Sequence, residues 1–349
     1  PGAASVGYTG EREPRFFSQA VKEPVITTED LTHSPLPSPS YVKNTDKPFL
    51  SVKVGSKTAA LAALESGADL VYTSGESFIS QDKPWEISDF PELLDRARES
   101  GSQFVAGLPR IVMPWEMDRT LYFLERIKEM DVDGILVTNL GTVYAAAKLT
   151  DLPLYADYSC NIANQQAAGL LKDYQVVQVT APLEFCCEEI LAMSGQELPV
   201  EAVVHGSLPS MVSDHCLPAA VLEGTTRHQP CSGVCRTRLY GLKDTVGQVH
   251  TLEVDHTCRN HIYMANELAL LPYLISFYGA GFAGLRLEIP LYKADEVKTV
   301  TRLYRQEIDH LWADPANYTF PETSWQQLLQ INKGPFGTGP YTTGVKVKD

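Results

Sequence analysis

The 349 residues carry 29 Lys and Arg against 43 Asp and Glu, a net charge of −14, with 44% hydrophobic and 21% charged residues. This is an ordinary globular composition, long enough for one large barrel or two to three smaller domains. It lacks the cationic excess that gives DNA binding or a general RNA coat its affinity. No apolar run is long enough for a membrane span and no secretory leader pattern opens the chain, so a cytoplasmic protein is expected. Seven cysteines, an odd number, fit reduced thiols, some gathered as metal ligands, better than a disulfide framework.

Residues 1–48 hold seven of the 23 prolines, including Pro35, Pro37 and Pro39, and show no sustained period. They read as an extended arm or linker, with a strap packed on the following domain as the alternative. The start at Pro1, without Met, suggests a processed product or a piece of a longer protein.

From Phe49 onward short apolar runs alternate with amphipathic stretches, the pattern of repeated βα units around a parallel sheet. Eight strands are expected, at 49–54, 69–74, 103–108, 133–138, 153–157, 175–180, 200–205 and 282–288. Helical stripes lie between or after them, such as Met117, Leu121, Leu124 and Ile127, or Val297, Val300, Tyr304 and Ile308. Eight such units over 49–349 predict a (β/α)8 TIM-like barrel. A doubly wound open sheet is the competing fold, but Val54-Gly55-Ser56-Lys57 after the first strand is no phosphate loop. Gly279, Gly281 and Gly284 spell GxGxxG, yet they lead into a strand instead of out of one and read as a turn.

One interval breaks the rhythm. Between the seventh strand and a helix expected from about Met264, residues 206–263 hold Cys216, Cys231, Cys235 and Cys258, on the face where barrel enzymes build their sites. Thiolates collect on soft metals, and the spacing leaves an iron–sulfur cluster, a Zn2+ site or unliganded core thiols open. His215, His228, His250, His256 and His261 keep a mixed site in play. Cys186 and Cys187 read as packing residues. Cys160 is a weak nucleophile candidate without an identifiable His and carboxylate pair.

Polar residues at or just past strand ends can face a barrel site: Asn139, Asp157, Asn161, Glu184, His205 and Glu288. Glu288 and His205 are the preferred acid/base pair. The plainer reading pairs Glu288 with Arg259 or Arg286 and leaves His205 as a loop cap. Arg227, Arg236, Arg238 and Lys243 form the one local basic cluster, suited to an anionic small molecule or to offsetting a negative centre.

Several segments, in order, resemble the peptidase U32 proteins: 49–78 (FLSVKVGSKTAALAALESGADLVYTSGESF), 131–141 (DVDGILVTNLG), 152–164 (LPLYADYSCNIAN), 200–216 (VEAVVHGSLPSMVSDHC), 231–236 (CSGVCR), 258–271 (CRNHIYMANELALL) and 279–288 (GAGFAGLRLE). The resemblance implies a barrel-like α/β fold and a [4Fe–4S] cluster on Cys216, Cys231, Cys235 and Cys258. It further implies either the historical protease or collagenase-like label or an oxygen-independent hydroxylase acting on RNA or the ubiquinone ring, with prephenate as oxygen donor for some RNA targets. A small or aromatic substrate is favoured here over RNA, and a non-catalytic iron–sulfur scaffold is the third possibility. Two departures stand out. Pro209 occupies a position where many relatives have cysteine, and Glu288-Ile289-Pro290 replaces Glu-Gly-Arg, removing an expected arginine. The likeness is greatest to the second copy in longer U32 chains, so an upstream domain or second barrel is an expected partner.

Overall fold

The computed structural model describes residues 22–40, 42–81, 83, 85–194, 198–225, 229–331, 333–342 and 344. Its first half is a regular alternation of β1 (Phe49–Val54), α1 (Lys57–Glu65), β2 (Leu70–Thr73), α2 (Phe90–Ser100), β3 (Gln103–Gly107), α3 (Met117–Ile127), β4 (Gly134–Val137) and α4 (Leu140–Leu149). It continues through β5 (Leu154–Ala156), α5 (Gln165–Leu171), β6 (Val176–Thr180), α6 (Cys187–Met193) and β7 (Val200–Gly206). Then come β8 (Pro209–Ser213), α7 (Leu217–Glu223), β9 (Tyr240–Lys243), β10 (Val249–Val254), β11 (Asn260–Tyr263) and β12 (Glu267–Ala269). The chain ends with β13 (Gly284–Glu288), α8 (Ala294–Ala313), α9 (Glu322–Leu329) and β14 (Phe336–Gly337).

Strands β1 to β7 and β13 lie parallel, and β13 pairs with both β1 and β7, which closes an eight-stranded barrel. Parallel strands buried on both faces read as near-continuous apolar runs, which is why all eight are visible in the sequence. Within each strand the period of two sorts side chains between two cores. In β1, Leu50, Val52 and Val54 face the helices and join the large outer core. Phe49 instead packs with Leu70, Tyr72, Val105, Leu136 and Tyr155 in a separate cluster that fills the barrel. Ser51 and Lys53 continue that inner face toward the C-terminal ends of the strands, where the filling turns polar.

The insertion after β7 is a second structural unit. Strands β8, β11, β10 and β9 form an antiparallel sheet in that order, with its own small core of Leu252, Val254 and Ile262. It sits over the barrel mouth: Ile79 N–H donates to the Val254 carbonyl (2.8 Å) and His256 N–H to the Ser77 carbonyl (2.9 Å).

The helix expected from Met264 is not there. Glu267–Ala269 instead pairs with β7 and β14, and Leu271–Phe277 is a 3-10 segment kinked at Tyr273. Pro272 lacks the N–H a continuing helix requires. Gly279 and Gly281, at φ +74° and +79°, make the turn into β13, as left-handed backbone favours glycine.

Residues 22–40 and 42–48 lie against the barrel as a strap. Ile26 and Leu36 are buried, Ile26 N–H donates to Phe336 and Lys43 N–H to Gly279. Lys43 Nζ donates to the carbonyls of Leu191 (2.5 Å) and Ser194 (2.9 Å) at the end of α6, where a cation complements the helix dipole. Among the described residues no helix is long and apolar enough to cross a membrane.

Candidate functional site

Inner positions near the C-terminal ends of β1, β5, β6 and β13, joined by Glu201 from the start of β7, assemble a buried charged cage. Arg286, fully buried, donates through Nη1 to Asp157 Oδ1 (2.8 Å) and through Nη2 to Glu288 Oε2 (2.6 Å). Its Nη1 also stands 3.5 Å from Glu201 Oε2. Lys53 Nζ lies 3.0 Å from Glu288 Oε1 and 3.3 Å from Asp157 Oδ2. Glu201 accepts from Ser51 (2.6 Å) and Thr180 (2.9 Å). The guanidinium of Arg286 stands over the ring of Tyr72 (4.9 Å), and Tyr158 has Lys53, Arg286 and Arg110 around its ring at 5.4 to 6.0 Å.

Burying charge is costly unless it is paired and hydrogen-bonded; the cage pairs its charges and leaves Arg286 Nε as a buried donor without an acceptor among the described residues. Burial alone would raise the Asp157 carboxyl, but Arg286 and Lys53 outweigh it and hold that carboxyl low. Burial likewise opposes the Lys53 charge, and Asp157 and Glu288 more than offset it, holding the ammonium above its usual range. Glu201 goes the other way: burial raises its carboxyl and Arg286 only partly compensates. The cage is thus a preorganised field in which the Asp157 carboxyl is held low and the Glu201 carboxyl is pushed up.

Two cavities open from this end. The smaller, about 20 Å³, is lined by Lys53, Arg110, Tyr158 and Glu288 and roofed by Pro209, Val212 and Tyr263. The larger, about 250 Å³, lies between the β2 and β3 ends and the antiparallel sheet. His261 borders both. Its Nε2 is 2.9 Å from Asp255 Oδ2, and Phe78 packs edge-on against its ring at 5.0 Å. Burial pushes the Asp255 carboxyl up, but its bonds with His261 and Thr257 outweigh this and leave it lowered. A carboxylate that fixes an imidazole in this way sets its orientation and proton position.

The four cysteines of the insertion occupy four local settings. Cys216 is the residue before α7 and is buried, Cys231 lies in an exposed loop, Cys235 sits in the 3-10 turn 234–236, and Cys258 occupies the β10–β11 turn at φ +63°. None of the four is in a disulfide. The Cys235 thiol is pushed up by burial and then by the nearby charges of Cys216, Cys258 and Cys231, so the other three lie within electrostatic reach of it. The donor set is all sulfur, which suits an iron–sulfur cluster or zinc. Among the described residues no group of three or more His, Cys, Asp or Glu side chains is arranged to hold a metal ion.

Of the strand-end candidates, Asp157 and Glu288 meet in the cage. His205 does not join them. Its ring lies among Tyr292, Tyr304 and Phe336, with Nε2 3.3 Å from the Tyr292 hydroxyl, while Glu288 is engaged by Lys53, Arg286 and Tyr158. The cause is a register shift: β7 and β13 slip between Arg286 and Leu287, placing His205 opposite Leu287. A one-residue slip sends a side chain to the other face. Glu184 is exposed in the turn after β6. Asn139 caps α4 through Thr142 N–H, and Asn161 takes a left-handed turn at φ +54°.

Arg286, not Arg259, is the partner of Glu288; Arg259 donates to Glu116 (2.5 Å) and Asp214 (2.8 Å). Arg236, Arg238 and Lys243 are exposed around the cysteine sheet, whereas Arg227 and His228 lie outside the described residues. His215 and His256 are exposed, and His250 is engaged by Tyr263 and Asp244.

The fully buried His205 has an imidazole pushed down to about 3 by burial. Its folded-state value lies below the unfolded one near 6.5, so its contribution to stability is complete above about pH 6.5. It is lost as pH falls toward 3. In denaturant titrations the wild type is therefore expected to lose stability between these values more steeply than His205→Phe. The difference should reach several kcal/mol, because each tenfold change in proton affinity is worth about 1.4 kcal/mol.

A sequence profile of peptidase family U32 matches residues 55–347. The chain belongs to this family. Its U32 relatives include the uncharacterized protease MJ0090 of Methanocaldococcus jannaschii, 22% identical over 81% of this chain and 70% of that protein. The tRNA hydroxylation protein P of Helicobacter pylori is 21% identical over 74% of this chain and 64% of that protein. The chain thus spans about two thirds of the length of these relatives. Among solved structures, the U32 peptidase Mk0906 aligns over 73% of this chain and 97% of its own, with a TM-score of 0.42 and 11% identity. Where U32 resemblance leads one to expect an arginine after Glu288, the chain has Pro290, whose carbonyl accepts a hydrogen bond from Gln81. The guanidinium on Glu288 comes instead from Arg286, two residues earlier in β13.

Lys53, Glu201 and His261 are the site residues that strand-end reasoning misses. Their signal lies inside the strands. Ser51 and Lys53, and Arg286 and Glu288, are polar residues two apart in otherwise apolar strands, and in a barrel that spacing points both side chains inward.

Proposed function

We propose that this chain is an iron–sulfur redox enzyme of family U32. Cys216, Cys231, Cys235 and Cys258 would be the thiolate ligands of a [4Fe–4S] centre, and the charged barrel mouth would hold the substrate. What supports this reading is that the insertion over the mouth carries four cysteines in no disulfide, with Cys216, Cys231 and Cys258 within electrostatic reach of Cys235. When bound, such a centre supplies single-electron transfer. The chain's own residues do the rest. Lys53 and Arg286 fix Asp157 and Glu288, the overlying sheet keeps bulk water off them, and His261, oriented by Asp255, takes and gives a proton at the mouth.

Relatives named for tRNA hydroxylation support hydroxylation as the reaction class, and the U32 resemblance implies that it proceeds without molecular oxygen. Such a reaction balances when an organic hydroxy compound is the donor: the substrate's C–H becomes C–OH while the donor's C–OH becomes C–H. The net charge of −14 favours a substrate recognised through one small group over a long nucleic acid. The peptidase reading lacks a nucleophile at Cys160, whose buried thiol is pushed up to about 12 and is not a thiolate at neutral pH.

Iron, zinc and acid-labile sulfide are to be measured on anaerobically purified protein. About four irons and four sulfides per chain, with a visible band at about 400 nm, are expected. One zinc per chain without sulfide would overturn the assignment, and cleavage of casein abolished by Cys160→Ala would restore the peptidase.

A further inference from the structure

The two residues that follow Cys258 grip the segment that carries Cys216. Arg259 is buried, its side chain 4% exposed, and its guanidinium reaches three separate stretches of chain. Nε donates to Asp214 Oδ1 (2.8 Å), two residues before Cys216. Nη2 donates to Glu116 Oε2 (2.5 Å), the barrel residue just before α3. Nη1 donates to Thr257 Oγ1 (3.2 Å), beside Cys258. Asn260, also buried, accepts through Oδ1 from the N–H of Leu217 (3.0 Å), the residue after Cys216. The Cys216 segment is thus held on both sides of its sulfur from the strand that leaves the Cys258 turn.

That turn is itself fixed. Cys258 sits at φ +63°, a left-handed conformation that a residue with a Cβ keeps only where its surroundings over-determine it. Its N–H donates to the Asp255 carbonyl (2.9 Å), and Asp255 Oδ1 accepts from the N–H groups of Thr257 (2.8 Å) and Arg259 (2.9 Å). One guanidinium therefore spans a fixed turn, a neighbouring segment and the barrel. Acceptors on three stretches of chain call for the planar fork of arginine, whereas a lysine ammonium is a single point of charge on a flexible stem. Arg259 and Glu116 both line the larger cavity, so this grip is part of the wall of the mouth.

We propose that Arg259 is a positioning residue: from its anchor on Glu116 it sets the placement of Cys216 relative to Cys258 and holds both to the barrel mouth. It acts on the sulfurs through Asp214 and Thr257. Replacing residues that orient metal ligands from behind typically lowers metal affinity about 10–100-fold. The proposal rests on the four cysteines forming one metal site.

Co2+ alone, titrated anaerobically into the full chain after chelation of bound metal, reads sulfur geometry through thiolate-to-cobalt charge transfer and the visible bands of tetrahedral cobalt. The wild type should give a four-thiolate spectrum. Arg259→Lys should bind Co2+ at least about tenfold more weakly, with diminished visible bands. Asp214→Asn should weaken binding too, and the double variant should match Arg259→Lys, because both changes cut one contact. Glu116→Gln, which alters neither cysteine segment, should weaken binding measurably. Arg238→Gln, at an exposed cation nearer to Cys235 in sequence, should leave it unchanged.

Near-ultraviolet circular dichroism of each metal-free variant verifies its fold, and if Arg259→Lys does not fold, Asp214→Asn and Glu116→Gln decide. Unchanged affinity and spectrum in the folded variants, additive losses in the double variant, or an equal loss in Arg238→Gln overturns the proposal. A wild type without a thiolate-to-cobalt band also overturns it. Iron and sulfide on separate anaerobic preparations keep the two readings apart. Cobalt affinity that falls in Arg259→Lys while the wild type holds no sulfide overturns the iron–sulfur centre alone. Four irons and four sulfides in the wild type, with cobalt binding indifferent to Arg259, overturn the positioning role alone.

Discussion

Arg286→Met is expected to cost about 3–5 kcal/mol of folding stability, the range for stripping one partner from a buried ion pair. The substitution nearly preserves volume, so the loss reports on charge. Asp157, Glu201 and Glu288 all face this guanidinium, none is more than 2% exposed, and without it Lys53 is, among the described residues, the one cation left within salt-bridge distance of Asp157 and Glu288.

The loss should also depend on pH. Asp157 is held below its usual value in the folded chain, so its contribution is present above the unfolded carboxyl range near 3.9 and fades as pH falls through the lower folded value. Arg286→Met removes most of that acid-labile part. Adding Asp157→Asn and Glu288→Gln to the same chain should recover a portion of the loss, because neutral amides no longer demand a counter-charge. Urea titrations of the single and triple variants at pH 7 and about pH 3 measure both effects. A single-variant loss under about 1 kcal/mol would mean that solvent reaches the cage.

Cys235→Ser is expected to lower bound iron at least about tenfold, since a serine hydroxyl is a far harder and weaker ligand for iron–sulfur chemistry than thiolate. Cys216→Ser, Cys231→Ser and Cys258→Ser should follow. Cys187→Ser should not, because Cys187 is buried in the large core at the start of α6, and Cys160→Ser should not, because the Cys160 thiol donates to the Val137 carbonyl (3.4 Å) inside the barrel wall. Metal analysis of the six variants purified in parallel reads the pattern. Iron retained in all six, or lost equally in all six, would detach the metal from these four thiols.

The barrel is legible in the sequence because its strands are buried on both faces and its helices on one. The expected strand 200–205 and the observed Val200–Gly206 agree for that reason. The antiparallel sheet over the mouth is not legible. Tyr240–Lys243 and Val249–Val254 are short, largely exposed strands whose small shared core leaves little periodic signal, so only the cysteines stand out there.

The site is half visible in the sequence. Asp157 and Glu288 sit where strand-end reasoning expects polar groups, yet their partners Lys53, level with Glu288 in the β1–β13 register, and Arg286, two residues further into the barrel, occupy positions that read as strand interior. His205 fails for a reason that a single sequence hides. Counting by twos from Glu201 puts it inside, and the slip between β7 and β13 puts it outside. His261 falls six residues after Asp255 across a tight turn, and the folded sheet is what makes them neighbours.

Iron-edge X-ray absorption on the anaerobically purified chain probes the inorganic centre most directly. A first shell of sulfur alone with a second shell of iron, both lost together in Cys235→Ser, is the predicted spectrum. An iron shell of oxygen and nitrogen, or protein whose only metal is zinc, would contradict it.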